Sequence, residues 1–417
     1  MQTRFTAAQL ADPDTAASER ILRKCVHCGF CTATCPTYVL LGDELDSPRG
    51  RIVLIKDMLE GGRPATPEVV RHVDRCLSCL ACVTTCPSGV DYRHLVDHAR
   101  THIERTYARP PADRAIRAFI AAVLPYPKRL RLALRAARLA KPIAPLLPRR
   151  LRAMLRLAPP RLPPQQRLRR EVHAPQGPRR LRVALLTGCA QAVLTPSTHA
   201  ASVRLLTRAG AEVVTIGGCC GALTHHMGRE PQGKAFAAEL LRSLVAERDG
   251  HGLDAVVSDA SGCGMHVKDY GWQFREDAAL ARDADDIAAR TRDVAELVAE
   301  LGLPPVRRPG GLVVAYHAAC SLQHGQRILA APRELLTQAG YDVRDIAEGH
   351  LCCGSAGTYN LLQPAIASQL RDRKLANIRA TGAEALVTGN VGCAMQLAGP
   401  DALPVFHTVE LLDRATS

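Results

Sequence analysis

The sequence predicts an α+β fold of several domains, in which an all-α N-terminal domain precedes two copies of an α/β unit built on a parallel sheet. Three observations lead to this fold class. The first hundred residues hold two identically spaced cysteine runs, a basic proline-rich stretch follows, and the rest of the chain repeats itself once. With 417 residues and 47% hydrophobic composition, the chain is long enough for two or three domains.

The two cysteine runs share the spacing Cys-x2-Cys-x2-Cys-x3-Cys-Pro, which is typical of bacterial ferredoxins. The proline turns the chain away, so we expect the fourth sulfur of each run to reach the cluster of the other run. Zinc knuckles would leave this strict spacing unexplained, and disulfides suit small secreted chains. The expected ligand sets of the two 4Fe-4S clusters are Cys25, Cys28, Cys31 and Cys86, and Cys76, Cys79, Cys82 and Cys35.

Residues 1–102 are predicted to form this helical ferredoxin-type domain. Between the runs, apolar residues such as Ile52, Ile55 and Met58 recur at helical spacing. Ser47 and Pro48 are a start signal for that helix, and the Gly-Gly pair at 61–62 is a stop signal. A helix here would carry the two cysteine loops back to back, as crossed ligation requires.

Residues 103–180 are predicted to form a basic connector of helices interrupted by prolines. Arg100 to Arg182 carries a net charge of +19, which leaves −5 for the rest of a chain whose formal charge is +14. Leucines alternate with arginines here, so the segment is either a surface for an anionic bilayer or acidic subunit, or a solvated linker. Nucleic acid is excluded as a partner because aromatic residues are only 4% of the chain and no binding motif is present.

From Leu181 onward the chain is an internal duplication, with predicted units over 181–305 and 306–417. Cys189 and Cys320 are 131 positions apart, and the matching later cysteines are 133 and 130 positions apart. Short β-branched runs alternate with helical stretches in both copies, which predicts parallel α/β units. The cysteines follow the predicted strands, where an open parallel sheet places its ligand sites.

Each unit contains a single cysteine, a Cys-Cys-Gly triplet and a final cysteine. Adjacent side chains of an extended strand point to opposite faces, so a bent loop assisted by glycine is needed to bring both sulfurs of the pair to one metal. The alternative is a pair of degenerate sites with packed, reduced cysteines. The candidate ligands of one or two further iron-sulfur clusters are Cys189, Cys219, Cys220 and Cys263, and Cys320, Cys352, Cys353 and Cys393.

This pattern resembles the cysteine-rich (CCG) domain of the heterodisulfide reductase B type, in which a final Cys-x2-Cys completes a non-cubane cluster. Here the last cysteine is replaced by His266 in the first copy and by Gln396 in the second. The imidazole of His266 could bind iron, whereas glutamine is a poor iron ligand. We expect three other histidines to be hydrogen-bonded loop residues rather than ligands: His317, His324 and His407.

The whole chain resembles the family of glycolate oxidase (glycolate dehydrogenase) iron-sulfur subunits. The segments that carry the resemblance are DSPRGRI at 46–52, HAACSLQHGQ at 317–326 and CCGSAGTY at 352–359. The resemblance implies separate FAD-containing subunits that oxidise glycolate to glyoxylate, while this chain passes electrons to a quinone or another membrane acceptor. The alternative is the iron-sulfur subunit of a related lactate, glycerol-3-phosphate or heterodisulfide reductase-like complex.

The sequence shows no flavin or nucleotide fingerprint, so no catalytic residue is assigned and substrate oxidation is expected on other subunits. A reductase that uses its own cysteine-rich half is disfavoured by the missing fifth cysteines, and a non-redox metal sensor or scaffold is a third hypothesis. No signal peptide or membrane-spanning segment is predicted. The chain is therefore expected in the cytoplasm. If the connector is a bilayer surface rather than a solvated linker, it would give peripheral contact at the inner face of the cytoplasmic membrane.

Overall fold

The computed structural model describes residues 1–164, 169–399 and 402–417. It confirms the predicted fold class, because a helical N-terminal region is followed by two α/β units with mainly parallel sheets. The predictions for 165–168, in the connector, and for 400–401, in the second unit, lie outside the described residues. The domain boundaries themselves stay predictions.

The N-terminal region is helical around both cysteine runs. The predicted helix between the runs is α5, and the Ser47 hydroxyl caps it by accepting a hydrogen bond from the Gly50 amide at 3.0 Å. It ends at Gly61, as the sequence predicted. The helices are α1 (Ala7–Leu10), α2 (Pro13–Lys24), α3 (Phe30–Ala33), α4 (Pro36–Leu41), α5 (Pro48–Glu60), α6 (Pro67–Asp74), α7 (Ala81–Thr85) and α8 (Tyr92–Thr106), with a 3-10 turn at Glu44–Asp46.

The basic stretch forms short helices separated at prolines. These are α9 (Pro111–Val123), α10 (Pro127–Leu139) and α11 (Arg149–Leu157), with a 3-10 segment at Lys141–Leu146. Proline suits the first turn of α9 and α10 because its missing amide hydrogen has no partner there. In the part of the chain that the structure describes, no helix is long and apolar enough to cross a bilayer.

The first α/β unit contains a sheet with strand order β1-β3-β2-β4-β5. The strands run parallel, with Val183 of β2 opposite Val213 of β3 and Ala255 of β4, except that β1 pairs antiparallel with β3. The strands are β1 (Glu171–His173), β2 (Leu181–Leu186), β3 (Ala211–Ile216), β4 (Ala255–Ser258) and β5 (Thr291–Asp293). The helices are α12 (Gln191–Leu194), α13 (Pro196–Arg208), α14 (Ala222–His225), α15 (Glu230–His251), α16 (Ser261–Val267), α17 (Tyr270–Gln273), α18 (Ala281–Arg290) and α19 (Val294–Leu301).

The second unit repeats this topology, since its order β7-β6-β8-β9 matches β3-β2-β4-β5. Val314 of β6 lies opposite Val343 of β7 and Ala385 of β8, again in parallel register. The strands are β6 (Val313–His317), β7 (Asp342–Asp345), β8 (Ala385–Thr388) and β9 (Val405–His407). The helices are α20 (Ala331–Gln338), α21 (Tyr359–Leu362), α22 (Pro364–Arg379), α23 (Val391–Leu397) and α24 (Thr408–Thr416), with a π-helical turn at Ser321–Gln326.

The edge strand β1 differs from the prediction of an all-helical connector and an all-parallel sheet. Its three residues carry no alternating apolar pattern, so nothing local indicated a strand. The strand forms because the β3 edge offers unpaired backbone groups, and the Thr215 hydroxyl of β3 additionally accepts a hydrogen bond from the Glu171 amide at 3.1 Å.

The two α/β units share one hydrophobic core. Side chains of β2 and β4 pack in the same buried cluster as those of β6 and β8, together with α13, α19, α20 and α24. In this cluster Leu205, Val257, Leu336 and Val387 are fully buried. The duplicated halves therefore form a continuous body, and the ends of both sheets lie on a common side of it.

Candidate iron-sulfur sites

The loops of the two N-terminal cysteine runs have matching backbones. In each run the residues before and after the second cysteine have positive φ angles, and these are His27 (56°), Gly29 (87°), Ser78 (50°) and Leu80 (62°). Such angles are costly for residues other than glycine, by about 1–3 kcal/mol each. Strain of this kind is retained where a site requires the loop geometry, so the repeated pattern marks both loops as binding loops.

The fourth cysteine of each run lies with the first three of the other run. One cavity is lined by Cys25, Cys28, Cys31 and Cys86, and a second by Cys35, Cys76, Cys79 and Cys82, with Cys82 also reaching the first. All sixteen cysteines of the chain are free thiols. Four cysteines around a small cavity are the donor set that a 4Fe-4S cluster takes, so the residues present fit this group.

The two N-terminal sites differ in exposure. Cys28 lies at the surface beside Val26 and Phe30, whose side chains are 67% and 63% exposed, whereas Cys79 and Cys82 are buried. Burial raises the pKa of Cys31 to about 11 and holds the pKa values of Cys79 and Cys82 well above their usual range. These thiols are protonated unless a metal binds, so loading of the sites releases protons.

A buried arginine next to the second site was not recognised from the sequence. Arg51 donates hydrogen bonds to the His72 carbonyl at 2.7 Å and to the Thr37 hydroxyl at 3.0 Å, and one guanidinium nitrogen lies 3.8 Å from the Cys35 sulfur. Burial alone would lower its pKa, but nearby cysteines, a tyrosine and Asp46 outweigh burial and raise it. The guanidinium therefore stays charged beside the second site.

Asp46 balances this buried charge. Its carboxylate accepts hydrogen bonds from Arg51 at 3.3 Å and from Arg75 at 2.7 Å, and it lies 3.0 Å from the His72 ring. Both Asp46 and Arg51 belong to the DSPRGRI segment, in which the sequence indicated a helix start and a family resemblance but no role for these two side chains. The structural role of this segment is to build the wall of the second site. The sequence signal that could have revealed this role is an acidic residue and an arginine close to a helix start.

In the first α/β unit, four cysteines follow the carboxyl ends of strands. Cys189 follows β2, the pair at 219–220 follows β3, and Cys263 lies in α16 after β4. A side-chain hydrogen bond with Cys189, together with burial, raises the pKa of Cys219. Cys220 has a raised pKa for the same two reasons, with Cys263 as its partner. The structure thus brings the predicted set together as two contacting pairs.

In the second unit the equivalent cysteines form a continuous group. The Cys320 and Cys352 sulfurs are 3.9 Å apart, and Cys353 makes side-chain hydrogen bonds with Cys352 and with Cys393. The contact with Cys352, together with burial, holds the pKa of Cys320 well above its usual range. Four adjacent thiols at the ends of three strands are again a donor set suited to iron and sulfide.

The glycine of each Cys-Cys-Gly loop is required by the backbone, as the sequence predicted. Gly221 and Gly354 have φ angles of +89° and +90°. A Cβ atom on Gly221 would lie 2.4 Å from the Gly233 carbonyl oxygen, and one on Gly354 would lie 2.6 Å from that of Ala367. A side chain at either position would be strained and would force the loop or its neighbour to shift.

The residues that replace the missing fifth cysteines have different roles. His266 packs its ring against His225, His226 and Tyr270, with centroids 5.2, 5.8 and 6.0 Å away. Gln396 donates a hydrogen bond to the Ala367 carbonyl at 3.2 Å and accepts one from Asn360 at 3.0 Å. Gln396 therefore braces α21 and α22, the two helices that follow the Cys-Cys-Gly loop of the second unit.

Two of the three remaining histidines are hydrogen-bonded as predicted. His324 is 2.8 Å from the Thr84 hydroxyl, and His407 accepts a hydrogen bond from the Val409 amide at 3.2 Å. The prediction was wrong for His317. This side chain is 2% exposed, and neither ring nitrogen has a hydrogen-bond partner among the described residues. Burial lowers the pKa of His317 to about 3, so its ring is neutral.

A large cavity connects both cysteine sets of the α/β units. Its volume is about 950 Å³, and all eight of their cysteines contribute to its wall. Helices α9, α10 and α11 close the opposite side with apolar side chains such as Leu130, Met154 and Leu155. Cys76 of the second N-terminal run also reaches this cavity. Its size is within the range of about 300–1,000 Å³ that small-molecule sites occupy.

Comparison with known families agrees with this arrangement. A family model described as a 4Fe-4S dicluster domain matches residues 21–90, and one described as a cysteine-rich domain matches residues 183–268 and 314–398. The dicluster match covers both N-terminal cysteine runs, and the two cysteine-rich matches cover the duplicated units. Iron-sulfur clusters and a role in electron transfer follow from these matches.

Comparison with individual proteins extends over the full chain. The glycolate oxidase iron-sulfur subunit of Escherichia coli strain K12 is 39% identical over all of this chain and 99% of its own length. A probable glycolate oxidase iron-sulfur subunit of Bacillus subtilis strain 168 is 31% identical over 90% of this chain and 88% of its own. A lactate utilization protein A of Exiguobacterium is 28% identical over 55% of this chain and 96% of its own.

Proposed function

The chain belongs to the family of glycolate oxidase iron-sulfur subunits, and we propose that it carries electrons away from FAD-containing partner subunits that oxidise glycolate to glyoxylate. The observation that carries the proposal is the placement of the eight N-terminal cysteines. They line one site at the surface and one against the second α/β unit. A surface site can receive electrons from a partner, and an interior site can pass them on.

In this proposal the fourth cysteine of each run ligates the cluster of the other run. Such clusters, when bound, accept and release one electron at a time. The protein supplies the thiolates, the strained loops and the buried positive charge of Arg51, which stabilises added negative charge at the second site. The proposed ligand sets are Cys25, Cys28, Cys31 and Cys86, and Cys35, Cys76, Cys79 and Cys82.

The surface around Cys28 is the proposed docking place of the flavin subunit. Val26 and Phe30 expose most of their apolar side chains within the same cysteine loop. Exposed aromatic and aliphatic side chains that frame a redox site are suited to a protein interface, because burial against a partner removes them from water. Docking there would bring the flavin close to the first site.

The proposed onward path leads into the second unit and its cavity. Cys79 packs in one buried cluster with Cys352, and Cys320 packs against that cluster. The cavity beyond them has an almost wholly apolar wall, which suits a lipophilic acceptor such as a quinone. We therefore place the acceptor between the cysteine sites and the connector helices.

Peripheral membrane contact through the connector fits this path. Leu132, Leu139 and Leu146 are 66%, 84% and 85% exposed, and Arg135 and Arg138 are exposed next to them. Exposed leucines among cations are typical of helices that lie in the interface of an anionic bilayer. Contact at this surface would bring the cavity close to a pool of membrane quinone.

Glycolate is favoured over lactate as the substrate of the complex because the two glycolate oxidase subunits match nearly the whole chain, whereas lactate utilization protein A matches about half. The test uses the anaerobically purified chain with and without its flavin subunits. We expect dye reduction with glycolate only when both are present, and a slower rate with lactate. Glycolate oxidation by the chain alone would contradict the division of labour.

Crossed ligation can be tested with two matched substitutions. Cys35→Ser should damage the cluster of Cys76, Cys79 and Cys82, and Cys86→Ser should damage the surface cluster. Electron paramagnetic resonance of the reduced protein distinguishes the two signals. Loss of the cluster within the substituted run in both variants would contradict the crossing.

Membrane contact is tested by co-sedimentation with vesicles that contain anionic lipid. Replacing Arg135 and Arg138 by glutamine should weaken binding at low salt, since each cation near an anionic surface contributes about 1 kcal/mol. Replacing Arg373 and Arg344, which lie on the second α/β unit, is the control. Binding that is insensitive to salt and to the connector substitutions would make the connector a solvated linker.

A further inference from the structure

We propose that His317 is an iron ligand of the second α/β unit, where one imidazole nitrogen adds to the thiolates of Cys320, Cys352, Cys353 and Cys393. This inference rests on the proposed function only in that the second unit holds an iron-sulfur cluster. It assigns a role to a residue that the cysteine pattern does not include.

The position of His317 carries the inference. It is the last residue of β6 and lies opposite Thr388, the last residue of β8. A ring nitrogen of His317 and the sulfurs of Cys353 and Cys393 all lie within 4.8 Å of one another, and all three residues are buried. A ligand at the carboxyl end of the central strand points to where the four cysteines meet.

The lack of any hydrogen bond to the ring supports ligation. Buried polar side chains almost always have a partner, because leaving one unsatisfied costs about 1–3 kcal/mol. Among the described residues, neither nitrogen of His317 is satisfied, although Thr388 and Tyr316 are adjacent in the strands. A neutral imidazole is a good ligand for iron, and histidine replaces cysteine on one iron in some clusters.

The matching position in the first unit shows that the fold does not require a histidine there. Leu186 precedes Cys189 by three residues, as His317 precedes Cys320, and it ends β2 as a buried apolar side chain. Leucine fills the same strand end without any polar atom. The histidine of the second unit therefore has a role other than packing. In the same unit the fifth cysteine is replaced by Gln396, whose side chain is hydrogen-bonded to Ala367 and Asn360.

The experiment is pulsed electron paramagnetic resonance of the full chain, purified anaerobically with its clusters, with and without ¹⁵N-labelled histidine. We expect a strong histidine nitrogen coupling on one cluster. It should vanish in His317→Ala and in His317→Cys, with iron retained in the cysteine variant because a thiolate replaces the imidazole. The cysteine variant should also have a lower midpoint potential, since a thiolate adds negative charge. His324→Ala, which removes a nearby histidine that has hydrogen-bond partners, should keep the coupling.

The outcomes separate the inference from its premise. Iron sufficient only for the two N-terminal cubanes, in wild type and variants alike, would show that the second unit holds no cluster and would overturn the inference together with that premise. Extra iron without a strong nitrogen coupling, or a coupling that survives in His317→Ala, would overturn ligation by His317 alone. A weak coupling only would mean that the ring donates a hydrogen bond to the cluster instead of binding iron.

Discussion

The two α/β units have the same order of four parallel strands, four equivalent cysteines and a glycine with a positive φ angle at the same place, yet their surroundings differ. The first unit ends its central strand with Leu186, and the second ends it with His317. The second also buries Lys374, which donates a hydrogen bond to the Glu348 carbonyl at 2.7 Å and whose pKa is lowered by burial despite nearby cysteines. Duplication thus preserved a scaffold, while individual side chains made one site richer in donors and positive charge.

The units also dock differently on the N-terminal helices. The first unit is held by polar contacts to α8, where Asp97 lies 3.4 Å from both His225 and His226, and His94 lies 3.0 Å from Asp269. The second is held mainly by buried apolar contacts around Cys79 and Cys352. Its polar contacts include the Tyr359 hydroxyl, which donates to the Arg75 carbonyl at 3.0 Å.

This difference indicates a division of roles between equivalent sites. Electron transfer needs short separations through packed atoms, and Cys352 and Cys320 of the second unit pack with Cys79, a proposed ligand of the second N-terminal site. The first unit is fastened by charged and polar groups, and its Cys220 packs in a cluster made of the first unit's own side chains. The comparison predicts that the second unit lies on the electron path. The first unit then forms one wall of the cavity and is held to α8 by the polar contacts of Asp97 and His94, which we call the polar clamp.

The largest expected effect compares equivalent cysteines. Cys352→Ala should nearly abolish glycolate-dependent dye reduction by the complex with flavin subunits, because Cys352 packs with Cys79. Cys219→Ala, the matching change in the first unit, should lower the rate by at most about tenfold, or 1.4 kcal/mol in the barrier. Equal losses would contradict the division of roles.

The next effect concerns the polar clamp. Asp97→Asn should reduce the free energy of unfolding by about 1.5–3 kcal/mol, because hydrogen bonds to a buried charge are lost. Burial would raise the pKa of Asp97, but the neighbouring histidines, His226 first, outweigh burial and hold that pKa well below its usual range. The stabilisation is therefore present at neutral pH and is lost as the pH falls through the lowered pKa.

The matched control is Glu230→Gln, which weakens contacts to the exposed side chains of Arg105 and Lys234 and should cost at most about 1 kcal/mol. Urea unfolding at neutral pH measures both variants. If Asp97→Asn were no more destabilising than this control, the clamp would be unimportant.

Substituting the two loop glycines tests what the units share. Gly221→Ala and Gly354→Ala should each destabilise their unit by about 1–3 kcal/mol, since both force a side chain into a positive φ angle against a backbone carbonyl. Thermal unfolding should show similar shifts for the two variants. A large difference between them would mean that the loops are not equivalent.

The smallest effect is the pH response of the clamp. Burial lowers the pKa of His94, but hydrogen bonds to Asp269 and Asp91 outweigh it and raise the pKa to about 9. Its stabilising charge is therefore fully present below about pH 6.5, its ordinary pKa, and is lost as pH rises through about 9.

The ring of His94 stacks on Trp272 at 4.0 Å, and this is the chain's single tryptophan. Tryptophan fluorescence should therefore change with a midpoint near pH 9. The fluorescence change should disappear in His94→Gln. It should persist in His324→Ala, which removes a contact between the second unit and Thr84 of the N-terminal helices. A midpoint unaffected by His94→Gln would exclude His94 as its source.

The sequence by itself determined the fold class, the duplication and the grouping of the cysteines, because these follow from local spacing. The helix α5 could be recognised from its cap and its apolar period, and both bent loops from the glycine that follows each cysteine pair. The connector helices were likewise visible from their prolines, whereas the edge strand β1 depends on the neighbouring β3 and was not predicted.

Tertiary structure alone decided which side chains complete each site. Arg51 reaches the Cys35 sulfur through a helix packed against a distant loop, and Gln396 is engaged by Asn360 and Ala367 from other segments. The sequence shows that His317 lies three residues before Cys320, but it does not show that the side chain is buried beside Cys353 and Cys393. The energy of a polar side chain depends on its partners and on exclusion of water, and both are set by strands and helices far apart in the chain.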